Sequence, residues 1–205
     1  MKHNEPPLPS NQDLLTLFAQ RLEAAGGSVA HATTQTDLAS VIDRIADGEG
    51  IGRGVTLWMS SRLRDAAPAL VPTLAQSGHQ IAVPGDPGMV RDQPLGLAIA
   101  SAAIAETGSV ILVEPEVADR AVTLMTQVLI VVCPLAALLP SLDEAATVLR
   151  EISGQGPSYA TFVTGPSRTA DIERELTVGV QGPGKLHIVF VEDGAVQGAL
   201  PSSAA

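Results

Sequence analysis

Short, largely apolar runs recur along this chain, and they are continuous rather than alternating: Ser28–Ala32, Gly52–Trp58, Gln80–Val83, Leu95–Ala105, Ser109–Val113, Val128–Cys133, Ala160–Val163 and Leu186–Val191. A strand with one wet face alternates apolar and polar residues, whereas a continuous run is covered on both faces. Between the runs lie segments with helical spacing. Ser10 and Asp13 open the first, in which Leu14, Leu15, Phe18, Leu22 and Ala25 repeat until Gly26-Gly27 stops them. In the second, Leu38, Val41, Ile42 and Ile45 line one face before Gly48 and Gly50 end it. Residues 64–77 read as helical in part, broken by Pro68 and Pro72, and Ser141-Leu-Asp-Glu144 opens a helix to about Ile152 with a capping-box pattern. Strands alternating with helices predict the α/β fold class, a mostly parallel sheet flanked by helices. One antiparallel excursion is expected. Leu95–Ala105 reaches the turn Glu106-Thr107-Gly108 and the chain continues as Ser109–Val113, which predicts a hairpin over residues 103–113.

A chain of 205 residues that is 45% hydrophobic and 17% charged has enough apolar material for one large domain, expected over residues 11–200, with residues 1–10 as a flexible tail. That tail has no continuous apolar segment and no small-residue cleavage pattern, so it reads as neither a signal peptide nor an anchor, and a cytoplasmic location is expected. Residues 121–139 are the most apolar stretch. Thr123, Thr126, Gln127 and Pro134 interrupt them short of a spanning helix, so a buried strand is expected there. The net charge of −10 would repel a polyphosphate backbone, and 2% aromatics leave no stacking platform, so nucleic acid is excluded as the expected partner. The single cysteine, Cys133, permits neither an intramolecular disulfide nor a four-cysteine iron–sulfur site, and its apolar neighbours make it a core residue. His3, His31, His79 and His187 show no ligand spacing, so no metal is expected; His187 reads as a strand residue facing away from Leu186 and Ile188. Phosphate-loop, dinucleotide and nucleophile-elbow motifs are missing from the sequence: Gly48-Glu-Gly-Ile-Gly-Arg-Gly54 follows a helix and precedes a strand, the wrong order for a dinucleotide.

Chemistry concentrates in two turns. Thr161-Phe-Val-Thr164 runs into Gly165-Pro166-Ser167-Arg168-Thr169, which offers free backbone N–H groups, two hydroxyls and a guanidinium where an open α/β sheet usually holds ligands, with Asp171 and Glu173 following. A turn alone needs the glycine, the proline and a capping hydroxyl; it does not need the arginine, whereas an anion pocket gains from a forked donor. The other turn is Glu106-Thr107-Gly108. Its plain reading is a hairpin with glycine at a positive φ; its functional one is a partly desolvated carboxylate suited to proton transfer. If both turns share one cleft, Glu106 and Asp171 are the candidate catalytic residues, and Thr107, Gly108, Gly165, Ser167, Arg168, Thr169 and Glu173 the candidate residues for a small carboxylate or phosphate.

The same residues carry a resemblance. Gly165-Pro-Ser-Arg-Thr-Ala-Asp-Ile-Glu173, followed by Gly179-Val180 and Gly182-Pro183, resembles the C-terminal signature of the lactate utilization protein C family, also called the LUD-domain family. Ala103-Ile-Ala-Glu-Thr-Gly-Ser109 is similar to that family's alanine-isoleucine-alanine-glutamate-threonine-glycine motif and precedes the first at the expected distance. The likeness extends from about Trp58 to Glu192. One departure stands out: Gln181 occupies the position where the family usually has histidine, so no imidazole role carries over there. The resemblance implies a Rossmann-like fold related to the sugar-phosphate isomerase and coenzyme A transferase group. It also implies a subunit of an L-lactate oxidation system, taking lactate to pyruvate with iron–sulfur partner proteins. The iron–sulfur clusters would then sit in those partner subunits, with no cofactor in this chain, and a homo-oligomer is left open. A free-standing isomerase-like or transferase-like enzyme on an anionic metabolite, and a non-catalytic assembly scaffold, are the alternatives.

Overall fold

Helix α1 (Asn11–Ala24) begins at a reciprocal cap. The Asp13 N–H donates to Ser10 Oγ at 3.2 Å and the Ser10 N–H donates to Asp13 Oδ2 at 3.1 Å, which satisfies two of the N–H groups a helix start leaves free. In the computed structural model, residues 10–154, 159–169, 177–178, 182–192 and 194–197 are described. Asp171, Glu173 and Gln181 lie outside them, as do the tail residues 1–9 and residues 198–205. After α1 come β1 (Ser28–Ala32), α2 (Gln35–Gly48), β2 (Thr56–Met59), α3 (Ser61–Ala66), α4 (Leu70–Gln76), β3 (Gln80–Ala82) and β4 (Leu95–Ile99). With β7 (Val128–Pro134) and β12 (Lys185–Val191), these strands form a six-stranded sheet in the order β1-β12-β7-β4-β2-β3. Every pairing in it is parallel. Each residue of β4 and β7 is buried, which is why those runs show no alternation. The expected α/β class, with its mostly parallel sheet flanked by helices, is the fold of the protein.

Three stretches differ from the expectation, each for a local reason. The run at 95–105 is two strands. Ala100 N–H still donates to Val132 of the large sheet at 2.8 Å, but Ser101 N–H donates to Ile111 at 2.8 Å, and the chain passes into a second sheet as β5 (Ala102–Ile104). Both strands are buried on both sides, so hydropathy carries no mark of the handover. The stretch at 121–139 begins as helix α5 (Val117–Met125) and becomes strand only at Val128. Thr126 Oγ1 donates back to the Val122 carbonyl at 2.8 Å, and a Cβ on Gly96 would meet that Oγ1 at 2.5 Å, so α5 lies directly on β4. Finally, Ala160–Val163 (β9) is no member of the parallel set. It pairs antiparallel with β6 (Ser109–Val113), which pairs antiparallel with β5, and β8 (Leu138–Leu139) completes a four-stranded sheet in the order β8-β5-β6-β9. The hairpin expected over 103–113 is β5 and β6.

The large sheet packs on two sides. Leu57, Met59, Leu95, Leu97, Ile130, Val132 and Val189 face α2, α3 and α4. On the other side Ala98, Leu129, Val131, Cys133, Ile188 and Phe190 meet α1 together with Ala103, Val110 and Leu112 of the small sheet. Helix α6 (Leu142–Gly154) covers the far side of the small sheet through Ala145, against Ala102, Ile104 and Ile111. Short strands β10 (Arg168–Thr169) and β11 (Thr177–Val178) pair antiparallel. Among the described residues no helix is long and apolar enough to cross a membrane.

Candidate functional site

The two turns singled out by sequence meet. Thr107 Oγ1 donates to Ser109 Oγ at 2.8 Å, and Ser109 Oγ lies 2.5 Å from Thr164 Oγ1, which joins the β5–β6 hairpin to the end of β9. Both glycines press on the same end of α1: a Cβ on Gly108 (φ +66) would stand 2.6 Å from Leu22 N, and one on Gly165 (φ +81) 2.7 Å from the Ala25 carbonyl oxygen. Ser167 N–H donates to the Pro183 carbonyl at 2.9 Å, so the second glycine-proline pair closes against the first. The Glu106 carboxylate turns elsewhere. Its Oε2 accepts the Leu142 N–H at 3.1 Å, at the first turn of α6, where a carboxylate complements the helix dipole. Arg168 and Thr169 are placed as backbone in β10, and their side chains, like Asp171 and Glu173, lie outside the described residues.

A second constellation stands where the topology of the large sheet reverses. Strand β2 hands the chain outward to β3, whereas β4 sends it the other way, to β7. Between the carboxyl ends of two such strands lies the crevice where open α/β sheets hold ligands. Ser60 and Ser61 follow β2, and Ser60 Oγ caps α3 by accepting the Leu63 N–H at 3.3 Å. Arg62 comes next. Its Nη1 donates to Ser101 Oγ, after β4, at 3.0 Å and to the Val113 carbonyl at the end of β6. Among the described residues the guanidinium makes no other hydrogen bond, and it lines a cleft of about 310 Å³ with Asp65, Ala66, Ile99 and Gln197.

Buried acids hold this turn from below. Asp119 of α5 accepts the Ser61 N–H at 2.8 Å and the Ser61 hydroxyl as well. Glu114, next to Val113, has Oε2 3.0 Å from Thr123 Oγ1, and burial pushes its carboxyl up to about 8, with Asp119 adding to the rise and Thr123, Arg62 and Arg120 opposing it. Burial also lowers the Arg62 pKa, against the pull of Glu114 and Asp119. A cation and two hydroxyls are the equipment for holding a small anion, and a carboxyl poised near neutrality lies beneath them as a group that can take up or release a proton. Sequence reasoning missed all of them. The signal for the first three was present: β2 running into Ser60-Ser61-Arg62 has the same form as β9 running into the Gly165 turn. Nothing in the spacing of Ser101, Glu114 and Asp119 announces that the fold gathers them.

At the opposite, amino end of the sheet, His187 Nδ1 lies 2.6 Å from Ser28 Oγ and Nε2 lies 3.0 Å from Glu49 Oε1. Burial lowers the imidazole pKa while Glu49 opposes the shift. The ring ties β12 to β1 and to the end of α2.

The pattern of the LUD domain family matches residues 15–191, from α1 through β12. The chain belongs to the LUD domain family. Within it, the lactate utilization protein C of Geobacillus kaustophilus is 31% identical over 176 residues, 78% of this chain and 71% of that protein. The one from Macrococcus caseolyticus is 26% identical over 196 residues, 90% and 80% of the two chains. The Bacillus licheniformis relative is 33% identical over 117 residues, so this LUD chain spans about half (49%) of that protein's length. A crystal structure of a DUF162 family protein from Deinococcus radiodurans superposes with a TM-score of 0.63 at 19% identity, covering 90% of this chain and 99% of that one. The likeness to that structure is one of fold.

Proposed function

We propose that this LUD-domain protein serves lactate utilization by binding a small carboxylate, as a subunit of a system that oxidises L-lactate to pyruvate with iron–sulfur partner proteins. The observation that carries the reading is Arg62: a half-buried guanidinium at the topological switch point, its Nη1 fixed on Ser101 and on the Val113 carbonyl, that lines a cleft of about 310 Å³ with Asp65. A forked cation beside a hydroxyl suits a 2-hydroxy or 2-oxo acid, whose carboxylate takes the fork and whose 2-oxygen takes the hydroxyl. The substrate class comes from the relatives, which are lactate utilization proteins C. Converting lactate to pyruvate releases two electrons and two protons. With one cysteine in the chain, four-cysteine clusters to receive those electrons belong to partners. The motif junction is the second proposed anion contact: Thr107, Gly108, Gly165 and Ser167 stand there, Arg168, Thr169, Glu173 and the acid Asp171 are assigned to it from the family signature, and Glu106 could serve as its second acid only by leaving the Leu142 N–H. The family signature and the Thr107–Ser109–Thr164 hydroxyl chain support it.

Calorimetric titration with L-lactate, pyruvate, phosphate and a coenzyme A ester tests this, with wild type beside Arg62→Ala and Arg168→Ala. Carboxylate binding lost in Arg62→Ala is expected. Loss only in Arg168→Ala would move the site to the motif junction. Binding of neither carboxylate would overturn the substrate class, and turnover by the isolated chain would point instead to a free-standing enzyme.

A further inference from the structure

Glu114 directly follows β6 and lies under α5, with its two carboxyl oxygens unequally served. Oε2 stands 3.0 Å from Thr123 Oγ1, while Oε1 is buried with no hydrogen-bond partner among the described residues. Thr123 Oγ1 is also 2.9 Å from the Arg120 carbonyl oxygen. A hydroxyl has one proton and a carbonyl can only accept. Both contacts are satisfied together when Thr123 donates to Arg120 and Glu114 carries a proton of its own, donating to Thr123. An ionised Glu114 would leave two acceptors competing for that single hydroxyl proton, and would bury a charge with one oxygen bare.

The charges around it come from two helices. From α5, Asp119 opposes ionisation of Glu114, and Arg120, stacked 4.6 Å over the Tyr159 ring, favours it. From α3, Arg62 favours it and is anchored on the carbonyl of the preceding residue, Val113. Arg62 therefore has two claimants for its positive charge: the carboxyl beneath it and whatever anion enters the cleft above.

We propose that Glu114 is a positioning residue that couples anion binding in the Arg62 cleft to uptake of a proton: the cleft holds a 2-hydroxy or 2-oxo carboxylate when Glu114 is protonated, and ionised Glu114 competes with that ligand for the guanidinium. The inference rests on the reading of the cleft as a small-carboxylate site. Coupling of this kind is reciprocal, so an anion on Arg62 raises the proton affinity of Glu114 by the factor that the proton raises the affinity for the anion. Below about pH 8 the carboxyl is already largely protonated and affinity is flat; above it, affinity falls, by up to about tenfold per pH unit.

The test is calorimetric titration with pyruvate at about pH 7, 8 and 9, in buffer pairs of different ionisation enthalpy so that protons taken up per ligand can be counted. Expected for the wild type is net proton uptake near pH 8 and weakening at pH 9. Glu114→Gln, which keeps the shape and stays neutral, should bind as well as wild type at pH 7, take up no proton, and hold its affinity at pH 9. Uptake that persists in Glu114→Gln, or a wild-type affinity with no pH dependence, overturns the coupling. If wild type binds no pyruvate at any pH, the carboxylate reading of the cleft fails, and the Glu114–Arg62 coupling is decided without ligand. The Glu114 side-chain carbon, assigned by its loss in Glu114→Gln, is titrated by carbon-13 NMR in wild type and Arg62→Met. A midpoint that rises in Arg62→Met upholds the coupling, and an unmoved one overturns it.

Discussion

Glu114 also writes itself into the stability of the protein. Its carboxyl rises from an ordinary 4.5 to about 8 on folding because burial disfavours the charge, so between those values the native state holds a proton that the unfolded chain releases. Stability then falls as pH rises through that window and is level below and above it. At 1.36 kcal/mol per pH unit the whole effect is bounded at about 5 kcal/mol. Denaturant midpoints taken from about pH 5 to pH 8 should fall in the wild type and lose most of that slope in Glu114→Gln; an identical slope in both would place the titrating group elsewhere. His187 contributes the opposite sign at the acid end. Burial lowers its folded pKa from 6.5, so its contribution is present at neutral pH and is lost as pH falls below that value. Cys133, fully buried, has its thiol pushed up by burial. It should resist alkylation in the folded protein and react on denaturation, and rapid labelling under native conditions would contradict its burial.

At the scale of elements, Gly108 and Glu106 show what their turn is built for. An alanine at Gly108 would have to adopt φ +66 and place its Cβ 2.6 Å from a backbone nitrogen of α1, whereas Gly54, at φ +83, has open space around it. Gly54→Ala therefore carries only the cost of the left-handed conformation, about 1–2 kcal/mol, and Gly108→Ala adds overpacking of another 1–3, roughly. Comparable denaturant midpoints for the two variants would contradict the close approach. Glu106→Ala removes the acceptor for the Leu142 N–H and should cost about 0.5–2 kcal/mol, while Glu106→Gln keeps an oxygen there and should be nearly neutral in stability. Ligand binding lost in Glu106→Gln with stability kept would give the carboxylate a role beyond the helix start. These residues mark how far the sequence is legible. Helices α1, α2 and α6 and strands β1 and β7 stand close to where periodicity and caps put them, because burial on one stripe or both faces leaves a pattern. The break at Ala100–Ser101 leaves none, since both flanking strands are wholly apolar. The Gly165 turn is legible as a motif, but its strand sits in the mixed four-stranded sheet, paired antiparallel with β6. Of the Arg62 crevice only the turn into Ser60-Ser61-Arg62 left a sequence signal; Ser101 after β4, Glu114 after β6 and Asp119 on α5 join it through tertiary packing alone.

The two sheets share one core through α1. Leu14, Phe18 and Leu22 face β7 and β12 of the large sheet together with β5 and β6 of the small one, and the Phe18 ring meets Phe190 edge-to-face, centroids 5.0 Å apart. Gly108 and Gly165 rest on the carboxyl end of the same helix, so α1 supports the motif junction directly. The β2–β4 crevice has no such support from α1; it is held by α3, α5 and the carbonyl end of β6. Phe18→Ala should therefore cost about 3–5 kcal/mol, the range for emptying a packed aromatic site. Its effects should separate the two regions. Hydrogen exchange should accelerate together at the amides of β6 and β12, because a cavity at Phe18 opens both sheets at once. The carboxylate binding proposed for the crevice should survive at temperatures where the variant is still folded, since Arg62 and Asp119 sit on α3 and α5, whose buried residues pack outside the cluster around Phe18. Exchange that quickens in the small sheet alone would mean that the sheets open independently, and α1 would then belong to one of them rather than joining both.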